Sequence, residues 1–420
     1  MLTEASTLRN KLADHLKHMG VIRKAPIEAA FRSIPRHVFL PDAELAQVYA
    51  NEAVVTRRRD GVSISSSSQP SLMAQMLDQL NLEPGHSVLE IGAGTGYNAA
   101  LMASIVGSAG RVVTIDIDDD IVRDARKAID SLGYSNIHVK LADGAFGWAP
   151  LAPYDRVVVT VGAPAVPAAW ALQLRDGGRL VLPLRIRGLQ RVLTLERQGS
   201  VLRSRRIARC DFMMLRGQMQ SPIARCTFGP DEDYALTTEN DARLMVGLVQ
   251  RFLQQRPTRV ELDISANLME LVTGLDLWLA LHRPEFCTLW CGKPYDPSHP
   301  IPWAAQFHGL GYGTMGLVDK TGICVLSRSF PADDGPSQTN ERQKLWLACF
   351  GDCDSLAQRL AECVTAWDRC GRPDYRTYVA AVSIGATNGS PDAPAAQPTI
   401  LETSFSFGNT RVVLKSQLIK

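Results

Sequence analysis

Between residues 87 and 184, short apolar runs alternate with amphipathic segments, a pattern that predicts strands alternating with helices. The predicted elements are strand 87–91, helix 97–106, strand 111–116, helix 119–132, strand 137–141, strand 155–160, helix 166–174 and strand 178–184. Such alternation is typical of an α/β fold with a parallel, doubly wound sheet. Helical apolar spacing at 5–19 and 25–33 adds two helices that we expect to pack on this sheet.

Two further strands, near 191–196 and 201–212, are joined by the turn RQGS, and we expect them to form an antiparallel hairpin at the end of the sheet. From Arg185 to Arg209 this region holds eight arginines and a single acid, Glu196. Such a basic surface could attract an acidic peptide. Charged residues also line the solvated face of edge strands, where they discourage aggregation, and we favour this second interpretation.

From about residue 222 the pattern changes to a mixture of helices and strands that is typical of an α+β domain. Helices are predicted at 239–255, 266–282 and 354–369, and strands near 258–263, 286–291, 312–319, 322–328, 343–349, 376–384, 398–406 and 410–416. A chain of 420 residues is long for one domain. We therefore expect one domain over residues 1–220 and a smaller α+β domain over 221–420.

Composition argues against several classes of protein. The net charge of +2 gives no sign of a nucleic-acid partner. No apolar run reaches membrane length, and the N-terminal residues lack the apolar segment of a signal peptide, so we expect a cytoplasmic protein without a membrane partner. The nine cysteines, an odd number without paired CxxC motifs, indicate reduced thiols. Cys287 with Cys291, and Cys349 with Cys353, could hold zinc from one helix face, but their surroundings favour strand and turn, and we expect no metal.

The segment VLEIGAGTGY joins an apolar strand to a glycine loop that opens a helix, an arrangement that binds nucleotide-like cofactors. Gly92, Gly94 and Gly96 let the backbone turn tightly and approach a ligand. A dinucleotide fingerprint would need a further glycine where this chain has Tyr97, which disfavours NAD. The loop therefore fits a different nucleotide-like cofactor.

Three successive predicted strands end in the acids Glu90, Asp116 and Asp143. Glu90 puts a carboxylate beside the glycine loop, which suits an ammonium group and repels a pyrophosphate, and S-adenosylmethionine carries that ammonium. Asp116 stands where nucleotide folds place a ribose ligand, and Asp143 with Gly144 could meet an adenine edge. Acids also end strands because Asp favours turns, but the series together with the glycine loop favours one shared crevice.

Several motifs in the first 220 residues resemble those of protein-L-isoaspartate (D-aspartate) O-methyltransferases. They are IPRHVFLP with VYANEAV, SSSSQPSLMAQML, EIGAGTGYNAA, ADG, TVGAPAVPAAWALQLRDGGRLVLPL and the degraded closing motif FMMLRG. The glycine loop alone indicates only a class I methyltransferase, whereas the Ser-Gln-Pro segment ahead of it separates this family from most others. The resemblance implies a catalytic domain with the Rossmann-like class I fold over residues 1–220, S-adenosyl-L-methionine as cofactor and S-adenosyl-L-homocysteine as product.

The resemblance also implies the roles of individual residues. Ser68 takes the position of the family's active-site serine, preceded by a loop that wraps the cofactor and the substrate carboxylate. The implied cofactor-binding residues are Ser66, Ser67, Glu90, Gly92, Gly94, Gly96, Asp116, Ile117, Asp143 and Gly144, and the implied substrate-binding residues are Ser65 and Gln69. Serines also cap helices, and Pro70 suits a first helical turn, but capping and carboxylate binding are compatible at a helix N-terminus.

Two departures from the repair enzymes change the expected substrate. Threonine and isoleucine usually stand where this chain has Ser66 and Ser67, and the chain continues for about 200 residues past the closing hairpin. An extended form of the family, encoded with ribosomal peptide natural products such as lanthipeptides and graspetides, is similar; TGLDLWLALHRP and VTAWDRCGRPDY look like its extension. The implied substrate is an aspartate within a cyclised precursor peptide, with the domain at 221–420 helping to recognise it.

The leading hypothesis is therefore an S-adenosylmethionine-dependent O-methyltransferase that esterifies an aspartate of a modified peptide, leading to succinimide and isoaspartate. No general base is needed, because a carboxylate is already ionised at neutral pH. The alternatives are a repair methyltransferase for L-isoaspartyl residues and a cofactor-binding scaffold without catalysis. A nucleic-acid methyltransferase is disfavoured, because TVGAP replaces the Asn/Asp-Pro-Pro-aromatic motif that holds a flipped base. The sequence leaves the oligomeric state open.

Overall fold

The computed structural model describes residues 3–59, 61–221, 225–229, 231–239, 242–292, 305–307, 311–328, 341–384, 402–407 and 410–416. Its α-helices are α1 (Glu4–His18), α2 (Ala25–Ser33), α3 (Leu45–Val48), α4 (Pro70–Leu80), α5 (Tyr97–Val106), α6 (Asp119–Ser131), α7 (Ala168–Gln173), α8 (Ala242–Phe252), α9 (Leu268–Glu270), α10 (Asp276–His282) and α11 (Asp354–Arg369). A π-helical turn, Leu271–Leu275, joins α9 to α10, so the helix predicted at 266–282 is present with an interruption.

The strands are β1 (Val54–Arg59), β2 (Val62–Ser67), β3 (Ser87–Ile91), β4 (Arg111–Asp116), β5 (Ile137–Leu141), β6 (Tyr154–Val159), β7 (Leu174–Ile186), β8 (Leu189–Gln198), β9 (Val201–Arg209), β10 (Arg225–Phe228), β11 (Tyr234–Thr238), β12 (Thr258–Ala266), β13 (Phe286–Cys291), β14 (Ala305–Phe307), β15 (Gly311–Val318), β16 (Gly322–Arg328), β17 (Gln343–Gly351), β18 (Tyr378–Ile384), β19 (Glu402–Phe407) and β20 (Thr410–Ser416). All strands predicted from the hydrophobic pattern are present among the described residues, and residues 398–401 of the strand predicted near 398–406 and residues 240–241 of the helix predicted at 239–255 lie outside them. The short strands β1, β2, β10, β11 and β14 were not predicted.

The larger of the two main sheets contains the predicted doubly wound core. Its order is β19-β20-β18-β9-β8-β7-β6-β3-β4-β5, and the pairs from β7 through β6, β3 and β4 to β5 are parallel. Strand β3 carries the glycine loop at its carboxyl end and lies between β4 and β6, so the chain winds from β3 toward opposite edges of the sheet on its two sides. This strand order confirms the predicted α/β architecture. In such sheets the crevice where the winding changes direction is the usual ligand site.

Alternate residues of each central strand enter different hydrophobic cores, as the pleat requires. Val88 of β3 faces the core formed with α1, α2, α4, α5 and α6, whereas Leu89 and Ile91 face the opposite core. That second core contains Trp170 of α7 and continues without a break to Trp278 of α10. The C-terminal elements are therefore packed on the large sheet rather than tethered beside it.

The predicted hairpin of β8 and β9 is present, but its predicted position at the end of the sheet is wrong. Strand β18 pairs with β9 through Ala381 opposite Arg203, and β20 and β19 extend the sheet further. The open edge of β9 would leave backbone groups unpaired, and β18 satisfies them. A boundary at residue 220 therefore does not separate the two sheets, because three strands that follow it belong to the first.

The arginine-rich hairpin is not the solvated edge that its composition suggested. Arg185 and Arg191 are buried, and Arg191 is paired with Asp276 of α10. Arg197 donates to the carbonyl oxygen of Ala171 at 2.8 Å and so covers the C-terminal turn of α7. Several of these arginines therefore join the hairpin to other parts of the fold, and neither the edge-strand nor the acidic-peptide interpretation applies to them.

The second main sheet, of order β10-β11-β13-β15-β16-β17-β12, is antiparallel throughout and packs against α8 and α11. Its strands contain Cys287, Cys291 and Cys349, and Cys353 precedes α11, which confirms strand and turn at both cysteine pairs. Within the described ranges, no three Cys, His, Asp or Glu residues are grouped as metal ligands. Among the same residues, every helix is too short or too polar to cross a membrane.

Candidate functional site

A cavity of about 860 Å³ opens at the carboxyl ends of β3, β4 and β6. The predicted site residues that line it are Ser65, Ser66, Ser67, Ser68, Gln69, Glu90, Gly92, Gly94, Asp116, Ile117 and Gly144. The cavity is also lined by Asp211–Arg216, which follow β9, and by two residues of β10. One cavity thus joins the glycine loop to the serine segment, while Gly96 and Asp143 lie outside it.

The glycine loop needs glycine for a specific steric reason at Gly92. Its φ is +100°, and a Cβ atom there would lie 2.6 Å from Oγ1 of Thr160. That hydroxyl donates to the Gly92 carbonyl oxygen at 2.7 Å, so the close approach fixes the loop against the end of β6. The loop geometry is therefore built by contacts with Thr160.

Gly96 has a packing role instead of lining the cavity. It begins α5 with a φ of +86°, and a Cβ atom would lie 3.0 Å from Cδ1 of Ile129 in α6. The next residue, Tyr97, is fully buried beside Phe31 and Phe39, with ring centroids 6.4 and 5.6 Å away. A tyrosine at this position therefore anchors the N-terminal helices to α5.

Glu90 is fully buried at the floor of the cavity. Its Oε1 accepts from Nδ2 of Asn98 at 2.7 Å and its Oε2 accepts from Oγ1 of Thr114 at 2.7 Å. Burial raises the pKa of Glu90 to about 7, although both hydrogen bonds act to lower it. A carboxyl group with this pKa is held at the point of ionisation near neutral pH, and a cation in the cavity would favour its charged form.

Asp116 ends β4 directly beside the glycine loop. Its Oδ2 accepts from the Gly94 amide at 3.1 Å and its Oδ1 accepts from the Ile117 amide at 2.8 Å. Burial raises the pKa of Asp116, while these backbone donors favour the ionised form. Asp116 thus supports the loop and also presents a hydrogen-bond acceptor to the cavity.

Asp143 caps a turn and is not among the residues that line the cavity. Its Oδ1 accepts from the Ala145 amide at 2.9 Å, as the N-cap of the 3₁₀ turn Gly144–Phe146. Its Oδ2 accepts from the Gln218 amide at 2.8 Å. Both oxygens are therefore used to hold backbone, and Gly144 is the member of this predicted pair that lines the cavity.

The serine segment follows β2 and leads into α4. Ser68 is half-buried, lines the cavity, and its hydroxyl has no hydrogen bond to any residue that the structure describes. Ser67 is buried, and its Oγ accepts from Nη2 of Arg36 at 3.2 Å. Gln69 is exposed, and its Nε2 donates to the carbonyl oxygen of Asn51 at 2.9 Å. The segment is held on both sides of Ser68, which leaves that hydroxyl free to contact a ligand.

Arg36 is a positioning residue whose role the sequence did not reveal, although it lies in the IPRHVFLP motif. Its side chain is fully buried, and it donates to the carbonyl oxygens of Val48 at 2.7 Å and Ser68 at 3.1 Å. Burial lowers the pKa of Arg36. A guanidinium presents five donors in a planar fork, so one side chain can hold carbonyl groups of residues 48–52 and of Ser68 at once.

Asp118 ties two walls of the cavity together. It accepts from Nη2 of Arg59, at the end of β1, at 3.2 Å, and it also pairs with Arg216 of the closing motif. These two arginines, Arg216 foremost, hold the pKa of Asp118 below its usual value. The hairpin of β1 and β2 is thereby linked to the segment that follows β9, on either side of the crevice.

The sequence of the N-terminal region matches one known family over most of that region. The sequence model of the family described as protein-L-isoaspartate(D-aspartate) O-methyltransferase matches residues 7–220. A protein-L-isoaspartate O-methyltransferase of Methanopyrus kandleri is 36% identical over 212 residues, which are 50% of this chain and 92% of that relative. The Thermotoga maritima enzyme of the same name is 41% identical over 181 residues, 43% of this chain and 56% of that relative.

The structural likeness extends beyond the N-terminal region. A solved structure of a protein-L-isoaspartate O-methyltransferase aligns with a TM-score of 0.51 and 26% identity, covering 90% of this chain and 97% of that one. An additional C-terminal region is therefore present in a protein that carries the repair enzyme's name, and its presence here does not by itself indicate another substrate. The fold is that of class I S-adenosylmethionine-dependent methyltransferases, and the chain belongs to the protein-L-isoaspartate(D-aspartate) O-methyltransferase family.

Proposed function

We propose that this protein is an S-adenosylmethionine-dependent carboxyl O-methyltransferase that esterifies L-isoaspartyl residues of proteins and peptides. The family and the names of the relatives support this activity over the natural-product substrate that the sequence first suggested. The observation that carries the proposal is the shared cavity, in which the free hydroxyl of Ser68 and the glycine loop line the same space. An acceptor carboxylate and the methyl donor can therefore meet there.

The cavity residues fit the cofactor of this family. Gly92 and Gly94 line the cavity, and the Cβ position of Gly94 lies 3.5 Å from the Ser66 carbonyl oxygen, so the loop and the serine segment border the same space. Asp116 would accept from ribose hydroxyls, Ile117 and Gly144 would flank the adenine, and Glu90 would face the ammonium. When bound, S-adenosylmethionine supplies a methyl group on a sulfonium, which is an electrophile and needs no activation by the protein.

The protein must then bind and orient an acceptor that is already a nucleophile. A carboxylate is ionised at neutral pH, so no side chain has to remove a proton. We assign Ser68 to donate a hydrogen bond to that carboxylate, with Ser65 and Gln69 beside it, because Arg36 and Asn51 fix the segment on which they stand. The protein accelerates the direct displacement of the methyl group by orienting the two reactants and by limiting the access of water to the cavity.

The ester product explains how methylation leads to repair. An ester carbonyl is a better electrophile than a carboxylate, so the backbone nitrogen of the following residue can attack it. The new C–N bond forms as methanol leaves, which gives a succinimide. Water then opens the ring at either carbonyl and returns aspartate or isoaspartate.

A second candidate substrate is an aspartate in a cyclised peptide. It is favoured by one observation beyond the sequence, namely that Arg225 and Thr227 of β10 line the cavity and so add a wall from the region past residue 220. Ser67 also gives this cavity a hydroxyl group where the family usually has isoleucine.

Methyl transfer to matched peptides tests the proposal. Full-length protein with methyl-labelled S-adenosylmethionine would be offered three blocked peptides: one with an isoaspartyl residue, one with aspartate in its place, and one in which a lactam bridge encloses the aspartate. We expect label in the isoaspartyl peptide, lost by Ser68→Ala with S-adenosylhomocysteine binding retained. Label in the lactam peptide alone would establish the second candidate. Binding of S-adenosylhomocysteine without transfer to any of the three would leave a non-catalytic scaffold.

A further inference from the structure

Strand β10 brings two polar residues from the C-terminal region into the catalytic cavity. Arg225 and Thr227 are exposed and line that cavity, whereas Phe228 is buried in the core of the second sheet with Leu236 of β11 and Val249 of α8. Alternate side chains of a strand point to opposite faces, so the burial of Phe228 in that core directs Arg225 and Thr227 the other way. The fold therefore places a guanidinium at a wall that the N-terminal region does not supply.

Arg225 has no ion pair with any residue in the described part of the chain. The carboxylate of Asp211 is exposed at the same cavity and is close enough to Arg225 to sense its charge. The surrounding protein raises the pKa of Asp211, and the positive charge of Arg225 opposes that effect. Asp211 stands next to a fixed backbone, because Gln190 accepts from the Phe212 amide at 3.0 Å and donates to the Phe212 carbonyl oxygen at 2.7 Å.

We propose that Arg225 binds a second carboxylate of the acceptor peptide, the side chain of an aspartate or glutamate close to the residue that is methylated. This inference rests on the proposed function and names the class of peptide that the site prefers. The methylated carboxylate itself is a poor partner for Arg225, because a guanidinium bound to the attacking oxygens would reduce their nucleophilicity and its ion pair would be lost in the ester. A neighbouring carboxylate keeps its charge through the reaction, and arginine binds carboxylates with two parallel hydrogen bonds.

The expected effect is large enough to measure. Arg225 is exposed before the peptide binds, and a bidentate pair that the bound peptide shields from solvent would change kcat/KM by about tenfold. Asp211 repels an incoming carboxylate, so its removal should increase the preference for acidic peptides. Salt should reduce that preference, because the cavity mouth is open to solvent.

Initial rates with a peptide series test whether Arg225 binds a second carboxylate of the peptide, an interaction that we call the anchor. Each peptide is a blocked hexamer with one isoaspartyl residue, and a glutamate stands at one of the two positions before it or the two after it; a matched peptide has glutamine at the same position. With full-length protein and saturating S-adenosylmethionine, we expect kcat/KM to favour glutamate over glutamine by about tenfold or more at one of these positions at least.

Three variants assign that preference to Arg225. Arg225→Ala should bring the ratio for glutamate over glutamine close to one, through KM rather than kcat, and Arg225→Lys should restore part of it. Asp211→Asn should raise the ratio. Arg256→Ala removes an exposed arginine after α8, outside the cavity, and should leave both rates and the ratio unchanged. Melting temperature and S-adenosylhomocysteine affinity confirm that each variant is folded.

Two outcomes overturn the anchor: a wild type that treats glutamate and glutamine peptides alike at all four positions, or a preference that Arg225→Ala retains. Failure of the proposed function gives a different result, namely no methyl transfer by the wild type to any isoaspartyl peptide. In that event the same peptides, carrying a fluorophore, would be titrated against the S-adenosylhomocysteine complex. Equal binding of glutamate and glutamine peptides would then reject the anchor as well.

Discussion

Arg191 and Asp276 form an ion pair with 2.6 Å between Nη2 and Oδ2, buried between the large sheet and helix α10. Their side chains are only 3% and 7% exposed, so the pair lies inside the core that the two parts of the chain share. Removal of one partner leaves the other charge buried without compensation, which is costly.

We therefore expect Asp276→Ala to lower the free energy of unfolding by about 3 to 5 kcal/mol. The measurement is urea denaturation of the full chain, followed by tryptophan fluorescence. The double variant Arg191→Met with Asp276→Leu should recover part of the loss, because it removes both members of the pair, although Arg209 also loses the nearby charge of Asp276. Arg205→Ala removes an exposed partner of Glu196 and should change the free energy of unfolding far less. An equal loss for Arg205→Ala and Asp276→Ala would contradict the assignment.

Glu90 should make cofactor binding depend on pH near neutrality. Its pKa is raised to about 7, so the Glu90 carboxyl group is partly protonated at that pH in the ligand-free protein. An ammonium group binds best to the ionised form of the carboxyl group. Affinity for S-adenosylhomocysteine should rise as the pH increases from 6 to 8 in the wild type, as measured by calorimetry. Glu90→Gln should weaken binding at the higher pH by about tenfold or more and remove the pH dependence attributable to this group.

The same residue predicts the stability of the ligand-free protein. A folded-state pKa raised from 4.5 to about 7 means that the folded protein binds more protons than the unfolded chain between those values. Stability should therefore fall as the pH rises through that window, by as much as about 3 kcal/mol for a shift of this size. Glu90→Gln should abolish this part of the pH dependence in thermal melts. A wild type whose stability rises through the same window, with no change in Glu90→Gln, would show that Glu90 is ionised in the empty cavity.

Gly92 should tolerate substitution poorly for two separate reasons. In Gly92→Ala the new methyl group would lie 2.6 Å from Oγ1 of Thr160, and the φ of +100° is unfavourable for alanine. We expect cofactor affinity to fall below detection in calorimetry. Gly107→Ala is the control for backbone strain without a clash, because Gly107 has open space at its Cβ position but a φ of +67° and a ψ of −175°, a region that is nearly restricted to glycine. It should cost about 1 to 3 kcal/mol of stability and leave cofactor affinity unchanged.

Arg36 should affect the acceptor side of the reaction more than the cofactor side. Arg36→Lys keeps a charge but loses the planar fork that reaches Val48, Ser67 and Ser68 together. We expect kcat to fall by about tenfold or more, since small misplacement of a positioning group is costly, while S-adenosylhomocysteine affinity changes little. Parallel losses in kcat and in that affinity would instead mean that Arg36 supports the whole cavity. Lys17→Arg, on the exposed face of α1, serves as the control for an exchange between lysine and arginine.

The elements around the glycine loop were predictable because local signals agree there. Strand 87–91 and helix 97–106 have the predicted bounds, since an apolar run, three glycines and a helical pattern follow one another without competing signals. The hairpin of β1 and β2 was missed because its arginines and serines do not show the alternation of apolar and polar residues that identifies a strand. The pairing of β18 with β9 was missed because contacts so distant along the chain leave no local pattern.

At the site, the sequence identified residues by type and position but not by what their side chains contact. Asp143 has the same local context as Glu90 and Asp116, namely an acid at the end of a strand, yet it binds the Gln218 amide instead of facing the cavity. The support of Ser68 by Arg36, and the approach of Arg225 to the cavity, depend on tertiary packing of segments far apart in the sequence. Such contacts could be identified only from the three-dimensional structure.

The return of residues 378–416 to the large sheet has a consequence for how the protein is made. During synthesis, β3 to β9 leave the ribosome before the whole second sheet, and β9 keeps an open edge until β18 arrives about 170 residues later. Over that interval the nascent chain exposes a strand edge that other strands could pair with. We expect the charged residues Arg203, Arg205 and Arg206 on β9 to discourage such pairing until β9 becomes an interior strand of the finished sheet.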